Sequence, residues 1–305
     1  MSGEYKRGMR FLSVMVSIAF LSPVAGFEFN AGDRVVLLGN TFIEREGNYG
    51  HIETQLAAAL AEKKIIFRNL GWSGDNVFCA ARSYFGPPQE GFNRLKSHLE
   101  FLKPTVVIAC YGAVAAFEGQ PGVEKFLNGY TRLLEMIKTT SGARIILLSP
   151  PPCETLDSPL PDMMQQNRRL AHYRDRIREL ARSRECAFAD LFGAMKDGKV
   201  QSQPAGTFNG IHYSQAGYRR LAPVVAESLG IKQAVPQDVS LERLRKIVVE
   251  KNRLFFNRWR PQNETYLHGF RKHEQGRNAK EVFKFDSLVA KQDLQIHQLA
   301  KRILK

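Results

Sequence analysis

The run Arg34-Val-Val-Leu-Leu-Gly39-Asn40-Thr41 constrains this chain more than any other stretch. Four consecutive apolar residues, Val35 to Leu38, lie between Asp33 and a small polar turn. A strand covered on both faces, as in a parallel sheet, has this unbroken apolar form, whereas a half-exposed strand alternates. Comparable runs recur at residues 65–70, 105–111, 144–149 and 187–192. Helical spacing and strong helix formers occupy 49–63, 91–102, 122–140 and 165–185, with a last helical stretch at 214–229. Strands and helices alternating at this length predict βαβ units with right-handed crossovers. The expected fold is α/β, a three-layer α/β/α sandwich with a five-stranded parallel sheet, over residues 27–231. In such sheets ligands sit beyond the carboxyl ends of the strands, so Gly39-Asn40-Thr41 falls where chemistry is expected.

Both flanks read differently. Lys6, Arg7 and Arg10 precede an apolar run over 11–21, and Pro23-Val-Ala-Gly26 then offers small residues for cleavage. That order predicts a signal peptide over 1–26, a mature chain beginning near Phe27, and a secreted or periplasmic protein. The apolar run is short for a membrane crossing, and an uncleaved anchor is the alternative. Removing the leader takes the formal charge from +14 to +12. Composition shifts at 232, and 232–305 reads as a basic helical extension with helices over 241–260 and 286–304. Sixteen Lys/Arg against eight Asp/Glu in 236–305 give this segment +8, most of the mature excess.

Such charge attracts acidic polysaccharide, anionic lipid or nucleic acid, or simply aids solubility, and alone does not choose. Phe255, Phe256 and Trp259 among these bases either stack on nucleotides or pack the tail onto the sandwich. Packing is the expectation, with no nucleic-acid partner. The Arg-rich stretch 165–185 reads as a solvated helix face. Cys79, Cys110, Cys153 and Cys186 form no C-x-x-C pair and no metal-ligand spacing, so they are expected to be structural, their pairing left open. No metal or other cofactor is implied.

Four loops should meet at one sheet edge: Gly39-Asn40-Thr41, Asn69-Leu-Gly71-Trp-Ser-Gly74-Asp75, the segment from Tyr111 to Phe117, and Asn209-Gly-Ile-His212. A hydroxyl, a flexible glycine amide and a histidine converging on one crevice is the layout of acyl transfer, which needs a nucleophile, a base and oxyanion donors. In order and spacing these stretches resemble the motif blocks of the SGNH hydrolases, the GDSL lipase and acylhydrolase superfamily, over roughly residues 31–230. Gly39-Asn40-Thr41 stands at the Gly-Asp-Ser block, Gly112-Ala-Val-Ala115 at Gly-x-Asn-Asp, and Asn209-Gly-Ile-His212 at Asp-x-x-His. The stretches 258–267 and 269–279 are similar to the tail of a secreted bacterial branch that carries Gly-Asn-Thr in the first block.

The resemblance implies a flavodoxin-like sheet and a hydrolase of carboxylic or carbohydrate acyl esters. It places Thr41 as nucleophile, His212 as base and Asn209 as orienter, with Gly74, Asn40 and Val114 around the oxyanion. Thr41 reads equally as a hydroxyl capping the next helix. Valine at 114 cannot donate where the family has asparagine, and neutral Asn209 cannot stabilise an imidazolium as aspartate does. Two functions therefore stand: an ester hydrolase with a degraded catalytic set acting on an ester or acylated glycan, or a pseudoesterase that binds a glycan or protein partner. The oligomeric state is left open.

Overall fold

The computed structural model describes residues 27–84, 86–196 and 205–304, and the expected leader over 1–26 lies outside them. Five strands form: β1 (Arg34–Gly39), β2 (Ile66–Asn69), β3 (Val106–Cys110), β4 (Arg144–Leu148) and β5 (Ala187–Ala189). They make one parallel sheet in the order β2-β1-β3-β4-β5. The helices between them are α1 (Thr41–Tyr49), α2 (His51–Ala59), α3 (Pro88–Leu102), α4 (Val123–Ser141), α5 (Met164–Ser183), α6 (Leu191–Lys196) and α7 (Gln215–Ser228). The α/β/α sandwich expected from the sequence is thus the fold observed. Side chains alternate across the sheet, so Val35, Leu37, Val106 and Ile108 pack under α1, α2 and α7. Val36, Leu38, Val107 and Ala109 pack under α3, α4 and α5. Chain direction across the sheet switches between β1 and β3, where Gly39 pairs with Cys110, and the crevice opens at those carboxyl ends.

Two elements differ from expectation. The helix expected over 49–63 is broken at Gly50, which takes φ +69 and caps α1 by donating its N–H to the Glu46 carbonyl. A side chain there would also meet Val249 Cγ2 at 2.9 Å, so a distant helix helps enforce the break. The last strand stops at Ala189 rather than 192, because Asp190 accepts the Gly193 N–H at 2.8 Å and turns the chain into α6. Asp190 also accepts from Arg174 at 2.8 Å and Arg178 at 2.5 Å. The Arg-rich face of α5 is therefore partly an anchor for this turn. All four cysteines are free thiols. Burial pushes Cys79 and Cys110 up to about 12, which leaves both as inert packing.

The tail contributes α8 (Val239–Trp259), α9 (Glu264–Leu267), α10 (Lys272–Gln275) and α11 (Phe285–Ile303). It crosses the outer edge of the sheet, at β2. Leu244, Val248, Ile296 and Ala300 join one apolar layer, while Leu254, Phe255, Trp259 and Val289 join the other. The tail aromatics are thus packing residues. Edge carbonyls of an outer strand need partners or cover. Lys251 Nζ donates to the Phe67 carbonyl at 3.0 Å, and His297 Nε2 to the Ile65 carbonyl at 2.9 Å. Lys251 also pairs with Glu53 at 2.6 Å, both fully buried, and Asn252 donates to the second Glu53 oxygen at 2.9 Å. Among the described residues no helix is long and apolar enough to cross a membrane.

Candidate active site

Gly39 ends β1 where a side chain would meet Ile43 at 2.6 Å and the Cys110 carbonyl at 2.7 Å, so only glycine lets α1 start this close to β3. Asn40 is the N-cap of α1: its Oδ1 accepts the Phe42 N–H at 3.1 Å. The capping role open to Thr41 in the sequence is therefore taken by Asn40, and the Thr41 hydroxyl is free for other work. Thr41 Oγ1 accepts the Gly74 N–H at 3.1 Å. Gly74 takes φ +74 in a loop whose shape comes from its neighbours. Asn69 accepts the Gly71 N–H at 2.8 Å and donates to the Ile43 carbonyl at 2.7 Å. Asp75, fully buried, is matched by Arg82 Nε at 2.7 Å and the Tyr111 hydroxyl at 3.0 Å. Asp75 is a structural anion.

Thr41 and His212 line one cavity of about 180 Å³ together with Asn40, Arg45, Val114, Phe117, Pro150, Pro151 and Ile211. The structure thus brings the expected nucleophile and base to a common wall, although no hydrogen bond joins them among the described residues. Gly74 reaches the group through its N–H. Val114, 44 % exposed, presents methyl groups at the position where a donor was expected from the resemblance. The Asn40 oxygen is occupied by the helix cap, which leaves its Nδ2 as the end able to donate to a bound oxygen.

The Asn209–His212 contact decides the electrostatics. Asn209 Oδ1 accepts two backbone N–H groups, from Ile211 at 3.3 Å and His212 at 2.9 Å. Two donors on one side assign the oxygen to that side, so the amide Nδ2 faces His212 Nδ1 at 3.1 Å. An amide nitrogen only donates, so Nδ1 accepts and the neutral imidazole carries its proton on Nε2. That is the reverse of the tautomer a general base needs. Burial first, and then the positive Arg45, hold the imidazole below its ordinary pKa. Glu154 does not replace the missing carboxylate, because it accepts from Gly206 N, Thr207 N and Thr207 Oγ1 at 2.7 to 2.9 Å.

Three residues absent from the sequence-based set brace this site. Glu44, one turn into α1, accepts from Ser73 N at 2.7 Å and Ser73 Oγ at 2.8 Å, holding the loop that carries Gly74. Arg260, from the tail, donates to Glu44 at 2.7 Å and lies 3.6 Å from the Trp72 ring centroid. Behind it, Glu264 accepts from the Tyr84 hydroxyl at 2.7 Å and pairs with Arg94. The motif-like stretch around residue 260 was a signal for these contacts, but nothing in its spacing names the loop it holds.

Residues 32–220 match the model of the GDSL-like Lipase/Acylhydrolase family. No curated protein matches the chain. Among solved structures, a catalytic mutant of Axe2, an acetylxylan esterase from Geobacillus stearothermophilus, aligns with a TM-score of 0.53 at 17 % identity, covering 69 % of this chain and 100 % of that one. BT4096, a gut microbial diltiazem-metabolizing enzyme, aligns with a TM-score of 0.52 at 17 % identity over 70 % of this chain and 49 % of its own. LAE5, an alpha/beta hydrolase from the metagenome of Lake Arreo, aligns with a TM-score of 0.50 at 20 % identity over 68 % of this chain and 99 % of its own. At these identities the structures share the fold.

Proposed function

The chain belongs to the GDSL-like lipase and acylhydrolase family, and from that premise we propose that it is an exported, slow hydrolase of carboxylic esters, acyl esters of carbohydrate among them. One observation carries the reading: Thr41 Oγ1 sits 3.1 Å from the Gly74 N–H in the cavity that His212 also lines. Thr41 would attack the ester carbonyl, with its oxygen drawn to the N–H groups of Gly74 and Thr41. His212 would take the hydroxyl proton and return it to the departing alcohol, leaving an acyl-threonine for water to hydrolyse. Slowness follows from two features. His212 must leave the Asn209 amide to expose an Nε2 lone pair, and a missing oxyanion donor costs on the order of 10²–10³ in rate. Thr41→Ala and His212→Ala should each abolish turnover of p-nitrophenyl acetate and of acetylated xylooligosaccharides. Turnover persisting in both variants removes the mechanism. Export rests on the pattern of residues 1–26, and a secreted chain beginning near Phe27 is the expected product.

A second reading has a specific observation in its favour. The Asn209 amide hydrogen bond makes His212 Nε2 a donor, which suits a crevice that binds a carbonyl ligand without cleaving it. Under that reading a serine-reactive phosphonate leaves Thr41 unlabelled and no ester in the panel is consumed.

Arg260 acts through the loop rather than on substrate. Losing its contacts to Glu44 and Trp72 lets the Gly74 N–H drift from the reacting oxygen. Arg260→Ala should therefore lower kcat by on the order of ten- to a hundred-fold, with KM nearly unchanged. Arg260→Lys should recover little, since an ammonium cannot both stack on indole and pair as a planar fork. An equal loss in KM would instead place Arg260 on the substrate.

A further inference from the structure

Arg45 stands one helical turn beyond Thr41 on α1 and lines the same cavity as Thr41 and His212. Among the described residues it is the only formally charged side chain on that wall. Its guanidinium carbon lies 5.5 Å from the Phe208 ring centroid and 6.0 Å from that of Tyr49. Its one hydrogen bond among the described residues is a long one to the Tyr49 hydroxyl, 3.3 Å, and its buried Nε has no partner. Arg260 is matched by Glu44, Arg245 by Glu242 and Arg68 by Asp293, whereas Arg220 on α7 also has buried nitrogens without a partner but does not line this cavity. Glu46, the next residue, makes no ion pair with Arg45 among the described residues. It is buried, accepts the Glu53 N–H at 3.1 Å, and is pushed up to about 8 by burial. A half-buried guanidinium with an orphaned donor is an exception that calls for a partner.

We propose that Arg45 binds a carboxylate carried by the substrate, about one helical turn, ~5.4 Å, from the carbonyl held at Thr41. The proposal rests on the ester-hydrolase reading of the site and names its substrate class. Guanidinium matches a carboxylate through parallel N–H donors, and the two aromatic faces pre-orient it for that pairing. The cavity, about 180 Å³, is roughly six water volumes. That space takes a succinyl-sized acyl group or part of one sugar ring. The carboxylate sits either on the acyl group, as in a dicarboxylic hemiester, or on the alcohol, as in an esterified uronic acid. The formal charge, +14 for the whole chain and +12 without residues 1–26, favours the approach of either anion.

Nuclear magnetic resonance titrations monitoring Gly74 and His212 test this with probes that cannot turn over. Succinamate is compared with succinamide for the acyl side, and methyl glucuronide with methyl glucoside for the alcohol side. In the native chain one charged probe should bind on the order of ten-fold more tightly than its neutral twin. Arg45→Ala should erase that preference, and Arg45→Lys should keep part of it. Arg45→Gln, which keeps a donor towards Tyr49, serves if the alanine variant fails to fold. Equal binding within both pairs, no binding of any probe, or a preference that survives loss of the guanidinium overturns the proposal. These shifts require no bond cleavage. A preserved preference without any ester turnover would remove the hydrolase reading and leave the carboxylate site standing.

Discussion

Asn209→Asp should raise ester turnover by up to about 10⁴-fold, the factor by which the reverse change slows a dissected serine hydrolase. One carboxylate oxygen would go on accepting the Ile211 and His212 N–H groups, as Asn209 Oδ1 does. The other would accept from Nδ1 in place of the present amide contact, moving the imidazole proton off Nε2 and freeing the lone pair that faces Thr41 chemistry. The new anion should also lift the His212 pKa from its depressed position. The base works unprotonated, so the acidic limb of the kcat/KM profile should move to higher pH. Steady-state kinetics on p-nitrophenyl acetate across the imidazole titration range measure both effects. Unchanged turnover would mean that His212 is not the base. Adding Val114→Asn should increase the rate again, by less than a donor is worth alone, because groups acting as a unit are not additive.

Lys251→Met should destabilise the fold by about 3–5 kcal/mol, read from urea unfolding at neutral pH. The ammonium is fully buried between Glu53, Asn252 and the Phe67 carbonyl. Its removal strands the Glu53 carboxylate in the interior with too few donors. Burial lowers the Lys251 pKa and the adjacent Glu53 charge opposes that shift, so the pair stands or falls together. The double variant Glu53→Gln with Lys251→Met should recover most of the loss. A single variant as stable as the native chain would show that the pair adds nothing to docking of the tail.

The sheet was readable in the sequence because an unbroken apolar run admits few alternatives to a buried strand. Each of the five runs holds a strand, and β1 ends at the turn that carries Thr41. Where the reading slipped, the cause was a contact that hydrophobic patterning does not display. Gly50 breaks a helix partly because Val249 packs against it. Asp190 ends β5 by accepting the Gly193 N–H, and Arg174 and Arg178 hold it there. For the site, the residues were readable and their orientations were not. Asn209 was visible as a neutral substitute, but which end of its amide meets the imidazole depends on two backbone donors in three dimensions. Arg45 and Glu44 gave no local signal, and the motif-like stretch around Arg260 did not name the loop it holds. Glu44 and Arg260 lie 216 residues apart, and no spacing rule joins them.

The edge crossing by the tail also has a consequence for assembly of the chain. The carbonyl of Ile65 waits for His297, 232 residues later, while that of Phe67 takes Lys251 as a second donor beside the adjacent Arg68. Contacts of such separation form late, after the cost of closing a long loop has been met. A nascent sandwich would show a bare β2 edge until its last helix emerges, and a bare edge invites pairing between chains. The export proposed above, by delaying folding until the whole polypeptide has crossed a membrane, would suit this architecture, because the cap and the strand it covers would then collapse together.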